Sequence, residues 1–181
     1  ADILCIRDGY GNNLVRAAVQ ARREDIVTMI LDQLSGEQQV KLIIDEYDYE
    51  INAVKQAVSN CQHNILRLLL SKLPAGERYK IIAKAIRSSI RRADPVSLLI
   101  LLNSVSPSQQ VDVIKHRTGN SHNDNAIIMQ ALQHAHTPFK ILRLLLRRLP
   151  IDDKIEEINR RNMFGENVLC KAVHTRKIAI L

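Results

Sequence analysis

Apolar residues fall along this chain in paired stripes of helical period, and the clearest pair spans Asn52 to Pro74, NAVKQAVSNCQHNILRLLLSKLP. The pattern predicts a helix, a tight polar turn and a second helix stopped by proline. Asn125 to Pro150, NAIIMQALQHAHTPFKILRLLLRRLP, repeats it with the same ILRLLL core and terminal LP. An earlier copy starts at Asn13, with Leu14, Ala17, Ala18 and Ala21 followed by the stripe Ile26, Val27, Ile30, Leu31 and Leu34. Ile86–Arg92 and Leu98–Leu102 form an eroded copy, and Asn167-Val-Leu-Cys-Lys-Ala172-Val begins one more. Recurrence of this kind points to a repeat array in which each helix pair must stack on its neighbours to bury its apolar face.

Polar residues at the stripe ends predict the boundaries. Asn13, Asp25, Asn52, His63 or Asn64, Asp94, Asn125 and Thr137 stand where an N-cap would accept an orphan backbone amide. Ser35-Gly-Glu-Gln38 and Ser106-Pro-Ser-Gln109 have capping-box form, and Pro74, Pro95, Pro107, Pro138 and Pro150 suit a first turn. A third, shorter helix is expected after each pair: through Val40–Ile44, Glu77–Ile86, Val111–Ile114, and after Pro150 with Asp152 and Asp153 at its positive dipole end. Met163-Phe-Gly-Glu-Asn167 resembles Gly9-Tyr-Gly-Asn-Asn13, a hairpin-like entry into a first helix. The small first-helix residues Ala18, Ala57, Ser89, Ala131 and Ala172 stand 39, 32, 42 and 41 residues apart. A step near 40 matches HEAT or armadillo lengths as well as a lengthened shorter repeat. The expected organisation is one domain over 1–181, with repeats at about 8–50, 51–83, 84–124 and 125–165 and a partial copy at 166–181.

Composition agrees with stacked helices. The chain is 46% hydrophobic but only 3% aromatic, without Trp, and six glycines leave little for hairpin-rich folds. No apolar run approaches the ~18 residues of a membrane span, and no signal peptide is evident. Cys5, Cys61 and Cys170 are odd in number and widely spaced, which fits free thiols in a reducing compartment. The chain lacks an initial Met and stops inside a copy, so a piece excised from a longer protein is expected.

The content of the copies resembles ankyrin repeats. Ile65-Leu-Arg-Leu-Leu-Leu70 is similar to the EIVKLLL second helix, and Asn167-Val-Leu-Cys-Lys-Ala172 after Met163-Phe-Gly165 is similar to the D-x-x-G-x-T-x-L-H-x-A entry. The His of that entry is replaced by Arg16, Lys55, Arg87, Met129 and Cys170, and the turn glycine by Arg22, Cys61 and Ala135. The added LP-x-x-E/Q helix resembles the extended ankyrin-like repeats of effectors that intracellular bacterial pathogens inject into host cells. The resemblance implies an all-α repeat solenoid, a HEAT/armadillo-like α-solenoid being the alternative. It also implies protein binding through the concave helical face, as part of an effector secreted into host cytosol. Carried residue by residue, the partner-binding positions are Gln20, Gln56, Asn60, Arg91, Arg92, Gln130, His134, Lys171 and His174.

Catalytic signatures are missing: no G-x-S-x-G elbow, P-loop or Rossmann glycine pattern occurs. His134 and His136 have no third metal ligand at familiar spacing, so neither a metal, a cofactor nor an enzymatic role is expected of this stretch. The formal charge is +7. Arg22-Arg23, Arg87, Arg91-Arg92, Arg143, Arg147-Arg148 and Arg160-Arg161 recur at similar points, which fits a solvated face first and otherwise an acidic protein partner or, as the alternative, anionic membrane lipid. Nucleic acid is disfavoured because stacking aromatics are scarce.

Overall fold

Local capping chemistry sets most of the helix boundaries. The computed structural model describes residues 6–46, 51–115, 127–133, 139–162 and 164–174. The chain is all-helical among these residues. The helices are α1 (Leu14–Gln20), α2 (Glu24–Asp32), α3 (Gly36–Ile44), α4 (Ala53–Ser59), α5 (His63–Ser71), α6 (Ala75–Arg91), α7 (Pro95–Asn103), α8 (Pro107–Lys115), α9 (Ile127–Gln133), α10 (Phe139–Arg147), α11 (Ile151–Asn159) and α12 (Val168–His174). Asn13 and Asn52 cap α1 and α4, accepting from the amides of Arg16 and Lys55 at 2.9 Å each. Ser35 and Gln38 close a reciprocal capping box at α3, and Ser106 and Gln109 do so at α8. Asp94 caps α7 with Pro95 in its first turn. The expected caps at Asn125 and Thr137, with Pro138, lie outside the described residues.

Two expected caps are corrected. Helix α2 begins at Glu24 rather than after Asp25, and α5 begins at His63, with Arg23 and Gln62 in the N-cap positions and no side-chain cap. The cause is the turn before each helix. Arg22, Cys61 and Ala93 have φ of 58°, 54° and 56°, the left-handed region. Each follows a Schellman pattern: Arg23 N donates to Ala18 O (3.1 Å), Gln62 N to Ala57 O (2.9 Å) and Asp94 N to Ser89 O (3.0 Å). One left-handed residue reverses the chain so sharply that the next residue is already the N-cap, whatever its side chain. Asp25 binds the guanidinium of Arg23 instead (2.7 and 3.0 Å), and that bond holds its carboxyl down at about 2. Ala18, Ala57 and Ser89 are therefore the same structural position, the acceptor of the turn. An L-residue in this conformation is strained by ~1–2 kcal/mol, while glycine costs ~0.4–1 kcal/mol more chain entropy on folding. Ala93→Gly is accordingly expected to stabilise the protein by about 0.5–1 kcal/mol, read as a higher urea midpoint; an unchanged or lower midpoint would contradict the strain argument.

The two helices expected at 77–86 and 86–92 are one continuous helix, α6, of 17 residues. Lys84-Ala-Ile-Arg87 contains no breaker, whereas the corresponding junctions at 45–51 and 116–126 are rich in Asp, Asn, Gly and Tyr. Pro74 and Pro150 precede their helices by one residue, lending carbonyls to Arg78 N and Lys154 N at 2.9 Å each.

The chain divides into two compact units, 1–88 and 89–181. In the first, α1 packs on α2, α3 and α4, while α5 packs on α2 and α4. First helices thus lie beside first helices and second beside second, around Val15, Val19, Val54, Val58, Leu66 and Leu69, all fully buried. In the second, α9 packs on α8, α10 and α12, α7 on α10, and α11 on α12. Its core includes Leu98, Leu101, Ala131, Ile141 and Leu145. Third helices brace the preceding ends through long polar side chains. Gln39 Nε2 donates to Leu31 O (2.7 Å) and Leu34 O (3.1 Å), and Arg78 Nη2 to Leu73 O (2.6 Å). No helix of the described residues is long and apolar enough to cross a membrane.

Candidate functional site

The sequence-selected polar residues occupy three recurring positions around the first-helix turn. Gln56, Gln130 and Lys171 precede the small residues Ala57, Ala131 and Ala172 by one; Gln20, Arg91 and His174 follow Ala18, Ser89 and Ala172 by two; Asn60, Arg92 and His134 follow by three. The first two positions are three residues apart, hence on one helix face. In the first unit, Gln20 is exposed at the end of α1, and Gln56 and Asn60 are half-buried on the adjacent α4. In the second unit Gln130 and Lys171 are half-buried on the packed pair α9 and α12, His174 is exposed at the end of α12, and Arg91 and Arg92 are exposed at the end of α6. His134 lies outside the described residues. The helices that carry Gln20 and Gln56 pack together, as do those that carry Gln130 and Lys171 with His174. Arg91 and Arg92 belong to neither of these packed pairs.

What pins these positions is a pair of matching turns. Asp8 N donates to Asn12 O (2.9 Å) and Gly11 N to Asp8 O (2.9 Å); Asn162 N donates to Glu166 O (2.8 Å) and Gly165 N to Asn162 O (3.0 Å). Gly11 and Gly165 take φ of 77° and 74°, a turn conformation that glycine enters without strain. Asp8 Oδ1 accepts from the amides of Tyr10 and Asn12, and Asn162 Oδ1 from those of Phe164 and Glu166. Arg7 and Arg161 each donate to the glycine carbonyl, at 3.0 and 2.7 Å. An isolated antiparallel bridge between Arg7 and Asn13 completes the first turn. The expected likeness of 163–167 to 9–13 thus extends to individual hydrogen bonds.

Each turn folds back onto its first helix through a selected residue. Asn12 Nδ2 donates to Gln20 Oε1 at 3.1 Å, and His174 Nδ1 meets Glu166 Oε1 at 3.0 Å, eight residues apart in both cases. Lys171 Nζ also reaches Glu166, at 3.4 Å. Asn162's amide, with His174 and Lys171 adding to it, holds the Glu166 carboxyl below its ordinary range. The turn tips carry Tyr10 and Phe164, 82% and 75% exposed. The sequence pattern matches the two turns, while the scarcity of aromatics in the whole chain hides the two at their tips. Their place one residue before the left-handed glycine was the usable signal.

Several of the recurring arginines serve the fold. Arg23 is paired with Asp25, Arg160 with Glu156 and Glu157, and Arg148 donates to Gln110 Oε1 (2.7 Å) and Asn103 Oδ1 (2.9 Å). Lys115 donates to Asp153 (2.6 Å) and Glu156 (2.8 Å), and the Asp153 bond foremost pushes its pKa up. In the first unit a cavity of about 310 Å³ opens beside the turns of Arg22 and Cys61, lined also by Glu24, Gln62 and His63. Gln62 uses its amide there to tie the turn to Val19 O at 2.8 Å. The described residues hold no cluster of three His, Cys, Asp or Glu able to bind a metal.

These features define an all-α chain of recurring helix pairs whose entry turns lock onto first-helix ends. No family model and no curated protein matches the chain.

Proposed function

We propose that this chain is a protein-binding repeat domain, ankyrin-like in its helix pairs and entry turns, which recognises a partner through the tips of those turns and the polar ends of its first helices. The observation that supports this reading best is that the turns carrying the exposed Tyr10 and Phe164 are fastened to α1 and α12 by the Asn12–Gln20 and Glu166–His174 bonds. An exposed aromatic on a rigid turn offers a large contact area at little conformational cost, the profile of an interface hot spot. The changing side chains at equivalent positions (Gln20, Arg91, His174) suit a scaffold with a variable surface, and the repeat form suits an injected bacterial effector acting on a host protein. Catalysis has no place in this reading.

The test is affinity capture at physiological salt, then titration of the purified partner against variants. Tyr10→Ala or Phe164→Ala is expected to weaken binding by about thirtyfold, the ~2 kcal/mol of a truncated hot spot. Charge reversal of Arg91 and Arg92 to Glu is expected to weaken an acidic partner further. A partner whose affinity is indifferent to all four positions would refute this placement. Binding to acidic vesicles without any protein partner would overturn the reading in favour of membrane docking.

A further inference from the structure

The second helices carry an outer face that nothing above uses, and its chemistry changes from copy to copy. In α2 the outward positions are Asp25, Thr28 and Asp32; in α5 they are Asn64, Arg67 and Ser71. The carboxylates of α2 are locally balanced, Asp25 by Arg23 and Asp32 by Lys72 at 3.3 Å. In the second unit the same positions read Val96, Leu99 and Asn103 on α7, and Lys140, Arg143 and Arg147 on α10. Helix α5 shares only the middle cation, Arg67, so a row basic at all three positions is a property of α10 alone.

Three observations turn this face into a surface with a defined complement. First, Lys140, Arg143 and Arg147 are exposed and follow the i, i+3, i+7 spacing of one helix face, a row ~10 Å long. Second, neither α7 nor α10 contains an acidic residue, and five of the seven described carboxylates of the unit are engaged elsewhere, Asp112 and Asp152 lying on α8 and α11. Asp153 and Glu156 hold Lys115, Glu156 and Glu157 hold Arg160, Glu166 holds Lys171, and Asp94 caps α7. No ion pair to Lys140, Arg143 or Arg147 occurs among the described residues. Third, α7 packs beside α10 and carries exposed Val96 and Leu99, and Phe139, exposed as well, starts α10. These three are 42%, 38% and 50% exposed, so each keeps about half or more of its surface covered.

We infer that the outer face of α7 and α10 is a second docking surface, one that takes an acidic protein segment carrying apolar side chains between its carboxylates. The cations supply charge complementarity and on-rate, and the half-covered apolar residues give the segment's aliphatic side chains a place to leave water. A membrane fits less well, because interfacial anchoring needs apolar groups that protrude past the charges into the acyl boundary. A single-stranded nucleic acid fits less well too, since Phe139 is the one aromatic on the face and stacking platforms use several. The surface lies on second helices and does not depend on the turn-tip surface proposed above.

The experiment titrates the full 181-residue chain into a fluorescein-labelled peptide of repeating Leu-Glu-Glu-Gln, read by anisotropy. The wild type is expected to bind, and replacing the peptide's Glu by Gln or its Leu by Ser should weaken the complex. The double variant Arg143→Glu/Arg147→Glu is expected to lose roughly tenfold or more in affinity, and Arg143→Gln/Arg147→Gln a smaller factor, as surface charge pairs are removed or reversed. Reversal of two exposed cations of the first unit, Lys41→Glu/Arg67→Glu, should leave the affinity unchanged. All substituted side chains are exposed, and an unaltered far-UV circular dichroism melt confirms that each variant folds. Equal losses from the Lys41/Arg67 and Arg143/Arg147 reversals would overturn the inference by reducing it to net charge. So would tighter binding to mixed phosphatidylserine–phosphatidylcholine vesicles, or to oligothymidylate, than to the peptide.

Discussion

Leu69→Ala is expected to destabilise the first compact unit by about 3 kcal/mol, whereas Leu68→Ala, one residue away in the same ILRLLL run, should cost less than about 1.5 kcal/mol. Leu69 is fully buried in α5, which packs on α2 and α4, so its truncation removes apolar burial and leaves a cavity. Leu68 is only half-buried. The readout follows from composition. All four tyrosines, Tyr10, Tyr47, Tyr49 and Tyr79, fall within residues 1–88, and the chain has no Trp. Tyrosine fluorescence in urea therefore reports the first unit, while far-UV circular dichroism reports the whole chain. Leu69→Ala should move the tyrosine midpoint strongly. If the units unfold independently, circular dichroism should split into two steps with only one displaced. Equal effects of Leu68→Ala and Leu69→Ala would contradict the assigned helix face.

The same hexapeptide shows how far a pattern carries and where it stops. Its period alone places Ile65, Leu66 and Leu69 inward and Arg67 outward, and the second copy obeys it with Ile141, Leu142, Leu145 and Arg143. The last leucine does not: Leu70 is buried and Leu146 half-buried, though the local sequence is identical. What differs is the packing around each helix, which lies outside the hexapeptide. The same limit explains the caps. Asp25 and Asn64 are better N-cap residues than Arg23 and Gln62, yet the left-handed turn at Arg22 and Cys61 starts the helix before them. That turn was legible only as a missing glycine, since three non-glycine residues in one conformation leave no compositional mark.

The candidate site divides in a similar way. Helical spacing was enough to find the recurring first-helix positions, because Gln20 and His174 stand at the same distance from Ala18 and Ala172. Spacing could not reveal that both are fastened to an entry turn, since Asn12 and Glu166 are different residues performing one task. Nor could it sort the arginines. Arg143 and Arg147 look like Arg148 and Arg160 in sequence, but the last two are occupied by Gln110, Asn103, Glu156 and Glu157. Partners 38 and 45 residues away decide which cations remain for a ligand.

Asn13→Ala is expected to cost about 2–3 kcal/mol, more than loss of an ordinary cap, because this side chain serves three groups at once. Its Oδ1 accepts from Arg16 N, and its Nδ2 donates to Leu42 O and to Asp45 Oδ2, all at 2.9 Å in a buried position. Alanine would leave the Leu42 carbonyl without this donor. Asn13→Asp separates the contributions: it keeps the cap acceptor but replaces the donor with a second carboxylate facing Asp45. In the wild type, burial pushes the Asp45 carboxyl up, but the Arg7 guanidinium and the Asn13 amide outweigh it and leave the pKa below its ordinary value. A lowered folded pKa contributes stability that is full above the unfolded value near 4 and is lost as pH falls through the folded value. The wild type should therefore hold its tyrosine-monitored urea midpoint from neutrality to about pH 5 and decline only below about pH 4. Two carboxylates sharing one site raise a pKa instead. Asn13→Asp should be weakest at neutrality and recover between about pH 7 and pH 5, as a proton restores a donor between the two groups. A variant whose midpoint stays parallel to the wild type across that window would show that Asn13 and Asp45 are not coupled, and the cost of Asn13→Ala would then belong to the cap alone.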